Sequence, residues 1–341
     1  MNTQTLDIER LQPYLEQHIA GFSGELSAEK FAGGQSNPTF KLTAGGRHYV
    51  LRRKPPGELL KSAHAVDREY RVITALADTS VPVAQTYCLC EDDSVIGSMF
   101  YVMEFMDGRV FWDATLPEID SNEERSAIYD EMNCVLAELH NVDIDDVGLS
   151  DFGRPGNYFE RQISRWTKQY RASETDHNPE MEKLIAWLPD NLPADDGRVS
   201  LVHGDYRLDN VMFHKTEPRI IAVLDWELST VGHPLADLSY QCMAWALPQS
   251  DAGMSGLGGV DRSTLGLPTD ADYVAQYCAR TGRHDIENWN FYLVFCFFRL
   301  AAILQGVKKR ALIGTASSAE ADAKAAAVEP LARFGVALID A

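Results

Sequence analysis

The sequence predicts an α+β chain in two unequal parts, a small antiparallel sheet with one helix followed by a mainly helical remainder. Three observations lead there. β-rich runs separated by glycine turns fill the first hundred residues. Apolar residues at helical spacing dominate after residue 120. Asp107-Gly108 breaks the pattern between the two. The expected division is residues 1–105 and 106–341. A length of 341 residues is enough for two cores of their own.

The elements follow in order. Residues 31–43 place a Gly-rich turn between two strand-like pieces, and Gly45-Gly46 turns the chain into a strand over residues 48–52. Val66, Tyr70, Ile73 and Leu76 fall on one face of a helix. Strands are expected over 85–91 and 98–105. Ser121 and Glu124 form a capping-box pattern ahead of Ile128, Met132, Val135 and Leu139. A helix is expected over 158–171. Two short apolar strands, 199–202 and 220–224, flank a polar loop. Helices then cover about 285–309 and 318–338, and the Gly-rich stretch between Pro248 and Arg262 reads as a loop.

Composition removes several classes. The formal charge of −19 argues against a nucleic-acid binder that neutralises phosphates. The first residues lack a basic stretch followed by an apolar core, so no signal peptide is expected. The apolar run 291–298 stops at Arg299, short of the ~20 residues a bilayer span needs. No membrane association is therefore expected. Six scattered cysteines make no CxxC and no zinc spacing, which predicts reduced thiols and a cytoplasmic protein. Oligomeric state is not written in the sequence.

The segment that carries chemistry is Leu201-Val-His-Gly-Asp-Tyr-Arg-Leu-Asp-Asn-Val-Met212. Asn210 follows Asp205 by five residues, and Asp225 ends the next apolar strand fifteen residues later. Phosphoryl transfer from ATP needs such a set. One carboxylate orients the attacking hydroxyl, while an amide oxygen and a second carboxylate hold Mg²⁺ against the phosphates. Asp205 fits the first role, and Asn210 with Asp225 fits the second. Arg207 is placed to neutralise charge on the moving group. Taken alone, the same His and Asp residues also fit a metal-dependent hydrolase.

With these residues in order, the chain resembles the aminoglycoside phosphotransferase and choline kinase-like superfamily, the small-molecule branch of the protein-kinase-like fold. Further segments carry the resemblance. Gly33, Gly34, Ser36 and Asn37 resemble the phosphate-covering loop. Arg52 stands where kinases carry a lysine, and Glu69 resembles the helix glutamate that pairs with it. Residues 103–106, with Glu104 and Met106, resemble the hinge that receives adenine through backbone groups. Asp237 resembles a structural aspartate. Residues 49–57, 153–162 and 297–306 are similar to the branch found alone in bacteria and fused to acyl-CoA dehydrogenases in animals.

The resemblance implies a bilobal fold and ATP bound with Mg²⁺ between Asn210 and Asp225. It implies phosphorylation of a small-molecule hydroxyl, favouring a hydroxyacyl-CoA. An aminoglycoside acceptor and a silent nucleotide-binding pseudokinase are the alternatives. Charge placement bears on the choice. Residues 158–171 hold Arg161, Arg165, Lys168 and Arg171 against one acid, Glu160, and residues 47–71 hold seven basic residues against three acids. A cationic rim suits the CoA phosphates, whereas an aminoglycoside asks for acids.

Overall fold

A computed structural model describes residues 5–31, 37–55, 65–249, 256–313 and 325–340. The chain divides into two compact units, 1–109 with 210–229, and 110–209 with 230–341.

The first unit is built on a five-stranded antiparallel sheet. Its strands are β1 (Ser27–Lys30), β2 (Thr39–Ala44), β3 (Arg47–Arg53), β4 (Thr86–Cys90) and β5 (Phe100–Glu104), in the order β1-β2-β3-β5-β4. Gly45 and Gly46 make the β2–β3 turn at φ 55° and 77°, a region that disfavours any side chain. Strand alternation then sorts the faces. Tyr49 and Leu51 join Phe40, Leu42, Phe100 and Val102 in a core closed by Leu11, Leu15 and Ile19 around helix α1 (Ile8–His18). Arg52 lies on the opposite face and meets helix α2 (Val66–Leu76).

The division departs from the contiguous second part expected from residue 106. Residues 210–229 belong with the sheet unit because their backbone is bonded to it. Strands β6 (Ser200–Val202), β7 (Val211–Phe213) and β8 (Ile220–Val223) follow one another, and β7 pairs with β8. Phe213 and Arg109 exchange both backbone hydrogen bonds at 2.8 Å, and the Val223 N–H donates to Pro82 O at 2.8 Å. The turn Trp226–Leu228 packs against α2.

The second unit is mainly helical. It holds α3 (Asn122–Asn141), α4 (Tyr158–Ser173), α5 (Pro179–Asp190), α6 (Leu235–Ala246), α7 (Arg262–Leu265), α8 (Asp270–Thr281), α9 (Trp289–Leu312) and α10 (Val328–Ile339). Strand β6 pairs with β9 (Thr230–Gly232). Ser121 accepts the Glu124 N–H and starts α3 where the capping pattern put it. At Gly232 a Cβ would come within 2.5 Å of the Tyr158 ring, so glycine sets how closely β9 meets α4.

Helix α9 corrects one expectation. It runs 24 residues through Arg299 and is long and apolar enough to cross a bilayer. Two-thirds of its most apolar stretch is buried, with α4, α5, α6 and α10 packed on it. Arg299 fails to end the run because it too is buried, with its charge satisfied inside the unit. All six cysteines are free thiols. Of the loop expected between Pro248 and Arg262, residues 250–255 lie outside the described residues.

Candidate active site

The sheet unit carries one half of the predicted constellation. The Arg52 Nε stands 2.8 Å from Glu69 Oε2 on α2, and Nη2 donates to Asp225 Oδ1 at 2.5 Å. Glu227 Oε2 is 3.7 Å from the same nitrogen. Glu69 is 1% exposed, and it also accepts from Asn37 Nδ2 at 2.7 Å and from Tyr101 Oη at 3.2 Å. Burial pushes its carboxyl up to about 7, and the Arg52 guanidinium opposes that push. Asp225 is the outlier of this cluster. It sits in left-handed backbone at φ 59°, which swings its carboxylate toward Arg52.

Asn210 and Asp225 are neighbours through the backbone, because the Leu224 N–H donates to Asn210 O at 2.8 Å. An amide oxygen and a carboxylate on adjoining segments are hard donors of the kind Mg²⁺ takes. The set is sparse, which also suits Mg²⁺, since that ion keeps waters and completes its shell with substrate phosphates. Residues 103–106 continue from β5. The Glu104 N–H donates to Gln85 O at 2.8 Å, so that amide is engaged. Gly33, Gly34 and Ser36 lie outside the described residues.

The helical unit carries the catalytic-loop candidates. Asp237, at the start of α6 and fully buried, accepts from the His203 N–H at 2.6 Å and from the Gly204 N–H at 2.8 Å. His140 Nε2 lies 3.2 Å from the same carboxylate, and its Nδ1 meets Tyr277 Oη at 2.7 Å. Burial alone would raise the Asp237 pKa. The His140 bond, the neighbouring histidine and the Gly204 amide outweigh it and hold the group low. His203 is fully buried and its Nδ1 accepts the Asp205 N–H at 3.2 Å. It shapes the loop.

Asp205 therefore sits on a backbone pinned from two sides. Its carboxylate is 3.7 Å from Arg207 Nε, and Arg207 is also paired tightly with Asp209. Arg207 thus enters the site as the bridge between two carboxylates, which is where its charge is held.

Three groups of this site were not assigned a place at the catalytic loop from the sequence. Tyr240 lies one helical turn after Asp237 and hydrogen-bonds Asp205, which together with burial raises its own pKa. The Arg299 Nη2 donates to Gly204 O at 2.8 Å, with its guanidinium over the rings of Tyr240 at 5.5 Å and Trp166 at 5.8 Å. His140 is the third. Arg299 left a legible signal, a lone charge inside an apolar run. Tyr240 and His140 left none.

Residues 27–283 match the model of the phosphotransferase enzyme family, APH. The chain belongs to that family. It is 53% identical to a provisionally named aminoglycoside phosphotransferase from Ralstonia eutropha JMP134, covering 98% of each chain with a TM-score of 0.90. It is 47% identical over 333 residues to acyl-CoA dehydrogenase family member 10 of Mus musculus, over 97% of this chain and 31% of that protein. The chain thus spans about a third of that relative. An aminoglycoside phosphotransferase variant solved with ADP and hygromycin B is 15% identical with a TM-score of 0.62, covering 96% of this chain and 98% of the other. That likeness is one of fold, the bilobal protein-kinase-like α+β fold that the sequence implied. As a member of the family, the chain is a phosphotransferase enzyme.

Proposed function

We propose that this phosphotransferase moves the γ-phosphoryl group of ATP to an alcohol hydroxyl of a hydroxyacyl-CoA. The observation that carries the reading is the anchoring of the Asp205 loop by Asp237 through two backbone amides. Catalysis of phosphoryl transfer is chiefly positioning plus electrostatics, so a base on a fixed loop is what the reaction asks for. Asp205 orients the acceptor hydroxyl and takes its proton. The γ-phosphorus–oxygen bond to ADP breaks as the new one to the hydroxyl oxygen forms.

Asn210 and Asp225 would hold Mg²⁺, which when bound screens the charge of the nucleotide phosphates. Arg52, aligned by Glu69, is the cation for the phosphates. The Glu104–Met106 segment takes the adenine. Arg in place of lysine keeps the charge and adds a planar fork suited to two acceptors.

The acyl-CoA acceptor is supported by the relative named as an acyl-CoA dehydrogenase family member. It also fits the cations of α4, which weigh against a polycationic aminoglycoside. The test is a coupled ADP-release assay with Mg²⁺·ATP across short hydroxyacyl-CoAs, free hydroxy acids and aminoglycosides. Turnover with hydroxyacyl-CoAs above the other two classes is expected. Turnover with aminoglycosides alone overturns the acceptor. A nucleotide-induced thermal shift without turnover on any acceptor leaves a binding protein instead, and no shift with Mg²⁺·ATP points to a metal-dependent hydrolase.

A further inference from the structure

A cavity of about 840 Å³ lies along α4. Its charged lining is Arg154, Arg161, Arg165 and Lys168 against one carboxylate, Glu160. In a chain of charge −19 this is a local inversion. Its physical state sets it apart from an ordinary solvated helix face. The Arg161 guanidinium donates to the carbonyl oxygens of Arg154 and Pro155. Those neutral acceptors fix the planar fork without cancelling its charge. The Arg165 guanidinium lies over the Trp166 ring, 5.3 Å from its centroid. Among the described residues, neither Arg154, Arg161, Arg165 nor Lys168 forms an ion pair.

The rest of the helix shows the contrast. Arg171, one turn beyond Lys168, is paired tightly with Glu182 and approaches Glu174 at 3.6 Å. Lys308 of α9 is paired with Asp176 at 2.9 Å. On α4 itself, among the described residues, the cations without an ion pair are those of the stretch that lines the cavity. At the start of the helix the Asn157 N–H already donates to the Asp195 carboxylate at 2.9 Å. The cations of the lining supply an attraction for an anion.

Helix α4 is linked to the catalytic loop through Trp166 and Arg299. Trp166, whose ring carries Arg165, also carries Arg299, and Arg299 holds Gly204 O beside Asp205. One helix therefore joins a cationic cavity to the loop that presents the base. An acyl-CoA has that polarity. Its reacting hydroxyl sits on the acyl chain, and its 3′-phosphate and diphosphate lie at the far end of a long pantetheine arm.

We propose that the α4 cavity binds the phosphate groups of coenzyme A, with Arg161, Arg165 and Lys168 as the principal cations. The proposal rests on the acyl-CoA reading and assigns its anion-recognition residues. Charge-assisted bonds from guanidinium groups to phosphate are the strong class, and forked geometry adds selectivity.

The test is calorimetric titration of the full chain, without ATP, with coenzyme A, dephospho-coenzyme A and pantetheine. The wild type is expected to bind coenzyme A at least tenfold more tightly than pantetheine, with dephospho-coenzyme A between them. R165E/K168E is expected to lose at least tenfold toward coenzyme A and nothing toward pantetheine. R165Q/K168Q should lose less, since it removes charge without reversing it. The KM for a hydroxyacyl-CoA should rise with the coenzyme A dissociation constant, while the thermal shift given by Mg²⁺·ATP stays put. Equal binding of coenzyme A by wild type and R165E/K168E overturns the assignment. A wild type that phosphorylates no hydroxyacyl-CoA overturns the substrate reading instead. In that event, coenzyme A binding that still depends on Arg165 and Lys168 upholds the cavity, and loss of both removes it too.

Discussion

The Arg52 guanidinium stands 2.8 Å from the Glu69 carboxylate and in the same pose bonds Asp225, so one side chain ties β3 to α2 and to the turn after β8. Three carboxylates, counting Glu227, share this cation. Arg52→Met leaves Glu69 buried without its cation, a loss of about 3–5 kcal/mol for a broken buried pair. The raised Glu69 pKa, about 7, lets part of that loss be relieved by protonation. Arg52→Lys keeps the charge, but a single ammonium cannot fork between Glu69 and Asp225. We expect a smaller loss, roughly 1–3 kcal/mol, with the Mg²⁺·ATP thermal shift reduced yet present. Urea unfolding of both variants, with and without nucleotide, checks the order. Equal stability of wild type and Arg52→Met would remove Arg52 from its structural role.

Asp205 is held by its backbone, and its carboxylate lies against Arg207 and Tyr240. Replacing the carboxylate with an amide spares the anchors at Asp237. Asp205→Asn should reduce turnover by about 100- to 10,000-fold, the range for a lost general base. ATP binding and the unfolding midpoint should stay near the wild-type values. Single-turnover kinetics beside a nucleotide titration separate the two, and full turnover in the variant would end the role given to Asp205.

Arg299 is 6% exposed and has no carboxylate within ion-pair distance among the described residues. A buried guanidinium is costly unless its donors are used. Here they are spent on Gly204 O and two aromatic faces. We read it as a positioning residue for the Asp205 loop. Arg299→Met should lower kcat roughly 10- to 100-fold, equivalent to the ~1.5–3 kcal/mol of a charged hydrogen bond, and leave the KM for ATP within twofold. Arg299→Lys should recover part of kcat. A variant that loses stability but keeps kcat would make Arg299 a packing residue only.

What was legible in the sequence was whatever local chemistry dictates. Gly45-Gly46 admits one kind of turn, Ser121 caps one helix, and the period-2 run 48–52 sorts Tyr49 from Arg52. The spacing from Asp205 to Asn210 to Asp225 was readable because ligand chemistry fixes residue types. Three things were not readable. Residues 210–229 pack with the sheet through backbone bonds to Arg109 and Pro82, which no side-chain pattern records. The reach of Tyr240 to Asp205 depends on the rotation of α6 as packed. The long helix over 285–309 was expected, yet its apolar run was ended at Arg299 because a charge was taken as a boundary. A buried charge with its donors filled is not one.

His233 gives the chain a predictable pH response. It is 6% exposed, and its Nε2 meets Asp196 Oδ1 at 3.1 Å while Arg283 binds the other oxygen of that carboxylate at 3.0 Å. Its ring stacks with Tyr292 and packs on Phe159. Burial lowers its pKa below the usual 6.5, and Arg283 adds to this, while Asp196 and Asp195 oppose it. The unfolded chain takes up a proton near pH 6.5, whereas the folded chain resists it. The stability tied to this group is therefore complete above about pH 6.5 and is lost as the pH falls below it, at no more than about 1.4 kcal/mol per pH unit for one proton. Asp196 also has a lowered pKa, but its effect lies in the acid range, below the ordinary carboxylate value of 3.8. Urea midpoints measured from pH 8 to pH 5 should fall in the lower half of that range, and His233→Gln should flatten the fall. An unchanged slope in the variant would assign the response to another group.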